Sequence, residues 1–272
     1  MDNEHDELGG KGPQSAGIQS VEIGMAVLNA FAASSGAMSL KQVSQATSMA
    51  PSKVHRYLAS FVRSGMLIQT ATSGLYDLGP TARRLGLAAM GRLDAFTVAS
   101  NGLLKLRDLT GHTVCMAVWS ESGPMLVRWE SGQEPLILSL RIGSSIPLLD
   151  TSIGQTFLAY LPSSVTEPAV RLQQTLSGAR PTRTVLSPAE LDQIRSRCST
   201  YTASAMIKGV DAIAAPVFEA PNRLFSVITL AASHRSMQGA KLDKARQQVE
   251  AIAREISIEL GCPLGWKAAQ EA

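Results

Sequence analysis

Hydrophobic residues at helical spacing, separated by short polar breaks, predict three short helices in the first quarter of the chain. The first covers about 21–33. Ser39, with a glutamine three residues later, has the form of a capping box and predicts a second helix that reaches about Thr47. Pro51 stands where the first turn of a helix tolerates proline, and Gly65 suits the end of this third helix. Two short helices joined by a tight connection, the second of them basic, form a helix-turn-helix pattern.

Two short apolar segments follow and predict a β-hairpin. They cover 66–69 and 75–78, and the polar residues between them contain a Ser-Gly turn. Such a hairpin is the usual wing of a winged helix. Gly79 and Pro80 end it, and a helix over about 81–93 leads out of this small domain.

The rest of the chain has the pattern of an antiparallel sheet with helices packed on it. An amphipathic stretch over 96–109 precedes five apolar segments of strand length, at 113–119, 124–130, 136–141, 210–218 and 224–232. Helical segments near 153–161 and 188–198 lie between the third and fourth of these. A last helix over 243–260 places five apolar side chains in one stripe: Ala245, Val249, Ile252, Ile256 and Leu260.

These elements predict an α+β chain with two domains. The predicted divisions are a flexible tail at 1–17, a winged helix-turn-helix domain at 18–79, a linker helix at 80–93, a second domain at 94–262 and a C-terminal tail at 263–272.

Composition agrees with this division and excludes several classes of protein. The 272 residues are 45% hydrophobic and 17% charged, which excludes a wholly disordered chain. No uncharged segment is apolar enough to cross a bilayer, and the acidic N-terminus lacks the apolar core of a signal peptide. Cys115, Cys198 and Cys262 are far apart and form neither a disulfide framework nor a zinc pattern, which predicts a reducing cytoplasm.

Positive charge is concentrated in the predicted winged helix. Residues 18–92 hold seven basic side chains against two acidic ones, and 23–76 hold no acid at all. A field of one sign over a compact segment suits a polyanionic partner. A merely solvated basic face is the alternative.

The third helix supplies the candidate DNA-binding residues. Its apolar side faces the small core and leaves Ser52, Lys53, Arg56, Ser60 and Arg63 toward solvent. The first residues of a helix in the major groove reach base edges, so Ser52 and Lys53 are the candidates for sequence readout. Arg56 and Arg63 lie further along and suit phosphate contacts, which position the protein without specifying sequence.

Two further residues join this set. Lys41, at the start of the preceding helix, is placed to touch the DNA backbone. His55 lies beside the apolar face, where packing or capping is the alternative to base contact. A winged helix used only for protein contacts is the alternative for the whole set.

Catalytic patterns are missing from the sequence. The four histidines are scattered without metal-ligand spacing, and the chain has neither a Gly-rich phosphate loop nor a GxSxG elbow. Cys115 lies within an apolar segment and suits a small core residue better than a nucleophile. We therefore expect no enzyme activity, no metal and no cofactor, with an enzyme acting on a pocket ligand as the remaining alternative.

Several of these motifs resemble the IclR family of bacterial transcriptional regulators. Residues 52–56 (SKVHR) are similar to the core of the family's recognition helix, and 76–79 (YDLG) to the end of its wing. Further on, 146–162 (IPLLDTSIGQTFLAYLP) resembles the loop and helix beside the family's effector pocket, and 209–219 (GVDAIAAPVFE) the strand that lines the pocket. The resemblance covers about 20–262.

This resemblance implies a winged helix-turn-helix, a linker helix used in dimerisation and a GAF-like domain that binds a small-molecule effector. It also implies palindromic operators on double-stranded DNA, a homodimer or homotetramer, no membrane, and control of catabolic genes as a repressor or an activator. The effector expected from it is a small organic acid.

The resemblance also implies which residues contact the effector, although only part of the family's pattern is present. The matching positions are Gly143, Ser144, Thr151, Ser152, Gly154 and Thr229. The acidic residue that commonly precedes the glycine of the pocket strand is missing, because 201–208 contain no Asp or Glu. With Met206, Ile207 and Lys208 near the mouth, we expect a larger or more apolar anion. A purely turn-forming role is the alternative for the loop residues.

Overall fold

The computed structural model describes residues 17–34, 36–92, 94–133, 136, 140–176, 186–204 and 206–262. The described residues up to Arg92 form one compact unit, and those from Asp94 onward form a second. Apart from Gly17, the two predicted tails lie outside the described residues.

The N-terminal unit contains the predicted helices and hairpin. Its elements are α1 (Gln19–Ala32), α2 (Leu40–Thr47), α3 (Pro51–Arg63), β1 (Leu67–Gln69), β2 (Tyr76–Leu78) and α4 (Pro80–Met90). The strands β1 and β2 pair antiparallel. Met38, just before α2, exchanges two backbone hydrogen bonds of 2.8 Å with Tyr76 and so ties the hairpin to the helices.

Local sequence signals begin and end these helices as predicted. The hydroxyl of Ser39 accepts a hydrogen bond from the backbone N–H of Gln42 at 3.3 Å, and the side chain of Gln42 accepts one from the N–H of Ser39 at 2.8 Å. This is the predicted capping box. Pro51 is the first residue of α3, and Gly65 follows that helix with a left-handed φ of 71°.

A small apolar core holds this unit together. Its fully or largely buried members come from three helices and both strands: Val27, Phe31, Val43, Val54, Leu58, Leu67 and Tyr76. Because Val54 and Leu58 are on the inner side of α3, the opposite side of that helix is left to solvent.

The C-terminal unit is a sheet between two layers of helices. Its helices are α5 (Ala95–Thr110), α6 (Ser152–Tyr160), α7 (Ser163–Leu176), α8 (Pro188–Arg197) and α9 (Ala240–Glu259). Its strands are β3 (Thr113–Ser120), β4 (Gly123–Glu130), β5 (Thr200–Ala203), β6 (Val210–Glu219) and β7 (Arg223–Ser233). Within the described residues the strand order is β4-β3-β7-β6-β5, and every neighbouring pair is antiparallel.

Alternate residues of each strand face opposite helix layers. Ile213 of β6 packs in the core formed with α5 and α9, whereas its neighbour Ala214 packs in the core formed with α6. The predicted stripe of α9 is buried in the first of these cores. The mixed helix and antiparallel sheet confirm the α+β fold class.

The structure differs from the prediction in three elements. The predicted strand 136–141 is not formed by its described residues, since Leu136, Leu140 and Arg141 lie in no strand, and 137–139 lie outside the described residues. The helix α7 was not predicted because Pro168 interrupts its helical signal. The strand β5 has only four residues and lacks an apolar run, so no periodicity reveals it.

No helix in the described part of the chain has both the length and the apolar composition needed to span a membrane.

Candidate functional site

The outer face of α3 presents the predicted DNA-binding residues together. All of the side chains predicted there are exposed: Ser52, Lys53, His55, Arg56, Ser60 and Arg63. The exposure of His55 contradicts the alternative in which this side chain packs against the core. Lys41, at the start of α2, is exposed as well.

The basic side chains of this face are available for an anionic partner. Within the described residues, Lys41, Lys53 and Arg56 form no ion pair, and Arg63 has only a 3.4 Å contact with the hydroxyl of Ser60. The hydroxyl of Ser60 itself donates to the carbonyl of Arg56 at 3.0 Å. The face therefore carries uncompensated positive charge. The hydroxyl of Ser60 is already used as a donor, whereas no hydrogen bond of the Ser52 hydroxyl is found within the described residues.

The beginning of α3 adds backbone donors. No side chain caps this end, because the N-cap residue is Ala50. The N–H of Ser52 therefore belongs to the first-turn donors that the helix leaves without an intrahelical partner. Such an end attracts phosphate oxygens. The groove along α3 is completed by Gln69 and Tyr76 of the hairpin.

The C-terminal unit contains a cavity of about 70 Å³ between the sheet and the beginning of α6. Its wall is built from β3, β4, β5, β6, β7, α6 and two loops: Cys115, Trp129, Leu140, Ile146, Thr151, Ser152, Ile153, Thr202, Met206, Ile207, Val210, Ala212, Thr229 and Ala231. None of these lining residues carries a charge.

The structure brings three of the six predicted effector residues to this cavity, namely Thr151, Ser152 and Thr229. Gly143 and Ser144 are instead part of a backbone turn. The N–H of Gly143, which has a left-handed φ of 89°, donates to the carbonyl of Leu126 at 2.8 Å.

Gly154 also serves the backbone rather than the cavity. Its N–H donates to the hydroxyl of Thr151 at 2.9 Å, so this donor is already used. A Cβ atom at this position would lie 2.3 Å from the carbonyl oxygen of Leu148. Gly143, Ser144 and Gly154 therefore do not line the cavity in this structure.

Several residues that line the cavity carry polar groups without a hydrogen-bond partner. Thr151 is the N-cap of α6, and the first-turn N–H groups of Ser152 and Ile153 have no partner within the described residues. The hydroxyl oxygen of Thr229 is buried and has no hydrogen-bond partner either. A buried polar atom without a partner is unfavourable, and a bound ligand would supply the missing one.

Cys115 lies opposite Thr229 in the register of β3 and β7. Burial raises the pKa of the Cys115 thiol to about 12, and the nearby hydroxyl of Thr229 opposes this shift. The hydroxyl faces the thiol without reaching hydrogen-bond geometry. The thiol is therefore neutral at physiological pH and unsuited to act as a nucleophile.

The mouth of the cavity is apolar. Met206 and Ile207 line it, whereas Lys208 is exposed and is not part of the wall. In this conformation the cavity is well below the roughly 300 Å³ of a pocket for a drug-sized ligand.

A buried carboxylate supports the strand ends beside this mouth. Asp211 accepts hydrogen bonds from the hydroxyl of Tyr201 at 2.6 Å, the N–H of Ser204 at 3.1 Å and Nδ1 of His234 at 2.8 Å. Its neighbour Ala212 lines the cavity from the other face of β6. These groups form no motif in the sequence, since their proximity depends on strand register.

Within the described residues, no cluster of three His, Cys, Asp or Glu side chains is arranged to hold a metal ion.

Two family models match the chain. The model described as "IclR helix-turn-helix domain" matches residues 20–71. The model described as "Bacterial transcriptional regulator IclR C-terminal" matches residues 87–258.

Curated proteins and solved structures of the same kind are similar over almost the whole chain. The HTH-type transcriptional regulator BhcR of Paracoccus denitrificans is 28% identical over 259 residues, which is 92% of this chain and 90% of that protein. The transcriptional repressor IclR of Escherichia coli is 23% identical, with 92% of each covered. The crystal structure of Pseudomonas aeruginosa HmgR is 33% identical with a TM-score of 0.76, and covers 90% of this chain and 99% of its own.

Proposed function

This chain belongs to the IclR family of bacterial transcriptional regulators, and from that premise we propose that α3 reads its operator while the cavity beside α6 binds a small organic acid that controls DNA binding. Members of the family are DNA-binding regulators and not enzymes, so the enzyme alternative is set aside.

The observation that supports α3 as the recognition helix is its exposed, acid-free face with unpaired Lys53 and Arg56. Ser52 and Lys53, in the first turn, read base edges, with His55 beside them. Arg56 and Arg63 bind phosphates, as does Lys41 from α2. Ser60 contributes less because its hydroxyl already donates to a backbone carbonyl.

The operator is palindromic because the working unit is a dimer or tetramer. A two-fold dimer places two copies of α3 in major grooves about 34–36 Å apart, and the half-sites mirror the protein's symmetry. The regulated genes are catabolic, and the protein acts on them as a repressor or an activator.

The observation that supports an acidic effector is the presence of unpartnered donors on residues that line an apolar cavity. The N–H groups of Ser152 and Ile153 receive the carboxylate at the positive end of α6. The hydroxyl of Thr229 supplies a further hydrogen bond. The uncharged wall takes the rest of the molecule, which favours a small monocarboxylate with an apolar remainder over a highly charged acid.

The effector regulates DNA binding through its different affinity for two conformations of the protein. A ligand shifts an equilibrium only by as much as its affinities for the two states differ. The same coupling requires that DNA, in turn, changes the affinity for the acid.

A thermal-shift screen of the purified protein against aliphatic and aromatic organic acids tests the proposal. A ligand at 100 times its Kd stabilises the folded state by about 2.7 kcal/mol, a shift of about 5 °C or more in Tm. The acid found is then added to a mobility-shift titration of genomic fragments and must change the affinity. A clean melting transition whose Tm does not shift with any acid of the panel contradicts the proposal that the effector is an organic acid. Failure to bind DNA at any salt concentration contradicts the assignment of α3 as the recognition helix.

A further inference from the structure

A second cavity of the C-terminal unit lies beside β5, the edge strand of the sheet, and differs chemically from the first. Its volume is about 190 Å³, and its wall includes Arg197 of α8, Arg246 of α9, and Ser199 and Tyr201 at β5. The bond between the hydroxyls of Thr156 and Thr200, 2.9 Å long and buried, lies between α6 and β5. None of the residues of this wall lines the first cavity.

Both arginines of this wall lack an acidic partner among the described residues. The Nε atom of Arg246 is buried and has no hydrogen-bond partner. Glu250, one helical turn further along α9, forms no ion pair with Arg246 and instead accepts from the hydroxyl of Ser199 at 2.6 Å.

Three other polar groups of the wall, those of Glu190, Ser199 and Tyr201, have hydrogen-bond partners other than Arg246. Glu190 closes the capping box of α8, where it accepts from the N–H and the hydroxyl of Ser187 at 2.8 and 2.9 Å. The hydroxyl of Tyr201 donates to Asp211. None of these bonds reaches Arg246, so its buried Nε–H still lacks an acceptor, which a bound anion would supply.

We propose that this cavity is a second binding site, which holds a phosphate-like oxyanion between Arg197 and Arg246. The planar fork of a guanidinium matches two oxygens of a phosphate or phosphoryl group and binds them bidentately. The volume is below the roughly 300 Å³ taken by drug-sized ligands, so the occupant is inorganic phosphate or a small phosphomonoester.

Calorimetric titration of the full-length protein with inorganic phosphate, at an ionic strength held constant with chloride, tests this site. We expect one saturable site per chain, weakened at least tenfold in Arg246→Gln and at least threefold in Arg197→Gln. Arg254→Gln removes the same charge from the same helix but at a position that lines a different groove, and we expect it to bind phosphate like the wild type. A parallel titration with methyl phosphate shows whether the site takes a free or an esterified group.

The DNA-binding face is the competing place for phosphate, and Arg56→Gln tests it. Loss of phosphate binding in Arg56→Gln would place the anion on α3 and overturn the proposal. So would a wild type without saturable binding, or a folded Arg246→Gln with wild-type affinity. If Arg246→Gln fails to fold, Arg197→Gln provides the test, because Arg197 is exposed and its replacement disturbs the fold less. Wild-type phosphate affinity in Arg197→Gln would then overturn the proposal.

Discussion

The Nδ1 atom of His234 lies 2.8 Å from the Oδ2 atom of Asp211, which joins a half-exposed imidazole to a fully buried carboxylate. The same carboxylate holds the hydroxyl of Tyr201 and the N–H of Ser204. A buried carboxylate needs such partners to offset the loss of water. The cluster therefore ties together the ends of β5, β6 and β7 where they border the first cavity.

Removal of the carboxylate tests how much this cluster stabilises the fold. We expect Asp211→Ala to lower the free energy of unfolding by about 2 kcal/mol or more, because it leaves several hydrogen-bonding groups without their acceptor. Urea denaturation measures the change. Asp243→Ala, an exposed acid in the first turn of α9, is the control and should cost about 1 kcal/mol or less. Equal losses in the two variants contradict the prediction.

The pH dependence of stability reports on Tyr201. Burial, together with its hydrogen bond to Asp211, raises the pKa of Tyr201 to about 12, whereas tyrosine in an unfolded chain ionises near pH 10. Below pH 10 the stabilisation is complete, and it is lost as the pH rises toward 12 because the unfolded chain ionises first.

We therefore expect urea denaturation to show a smaller loss of stability between pH 9 and 11 in Tyr201→Phe than in the wild type. The two profiles should run parallel between pH 7 and 9, which is the internal control. Burial also raises the pKa of Cys115 and of Tyr160, and since both remain in the variant, part of the alkaline loss persists. Identical alkaline slopes in the two proteins refute the role of Tyr201.

Two glycines offer a matched test of backbone packing. We expect Gly154→Ala to destabilise the protein by about 1–3 kcal/mol, because its Cβ atom would lie 2.3 Å from the carbonyl oxygen of Leu148. Gly86→Ala in α4 meets no atom within 4 Å and removes backbone entropy from the unfolded chain, so it should stabilise by about 0.4–1 kcal/mol. Thermal denaturation of both variants checks the opposite signs, and a tolerated Gly154→Ala would contradict the close approach.

The N-terminal unit was predicted almost completely because each of its signals acts within a few residues. The capping box of Ser39, the first-turn proline Pro51 and the left-handed Gly65 are all read from adjacent positions, and all three are confirmed. Helical periodicity also placed the exposed face of α3 correctly.

The cavity was predicted only in part because its wall depends on contacts between distant segments. Cys115 and Thr229 meet through the register of β3 and β7, which no local pattern reveals. Thr202 belongs to the short strand β5, which was not predicted at all. The GAF-like character of this domain and the residues that contact the effector stay predictions.

Thr229 offers a direct test of the effector site. Replacing its unpartnered buried hydroxyl by a methyl group should leave stability unchanged or raised in Thr229→Val, since no hydrogen bond is lost. The same variant should bind the acid found by the thermal-shift screen about tenfold more weakly. Ser226→Ala removes another unpartnered buried hydroxyl from the same strand at a position that does not line the cavity, and its affinity should stay at the wild-type value. Equal affinities in the two variants would remove Thr229 from the site.

Substitutions on the exposed face of α3 should distinguish two kinds of DNA contact. We expect Arg56→Ala to weaken binding to operator and to random duplex by a similar factor and to reduce the slope of log K against log salt by about one, because it removes a phosphate contact. Lys53→Ala and Ser52→Ala should instead relax the choice of sequence, each with a loss of about 1–3 kcal/mol of discrimination at the bases they contact.

Mobility-shift titrations at several salt concentrations, on a duplex selected from genomic fragments, distinguish the two effects. Arg171→Ala, an exposed arginine of α7, should change neither. Wild-type binding by both Lys53→Ala and Arg56→Ala would show that α3 is not the recognition helix.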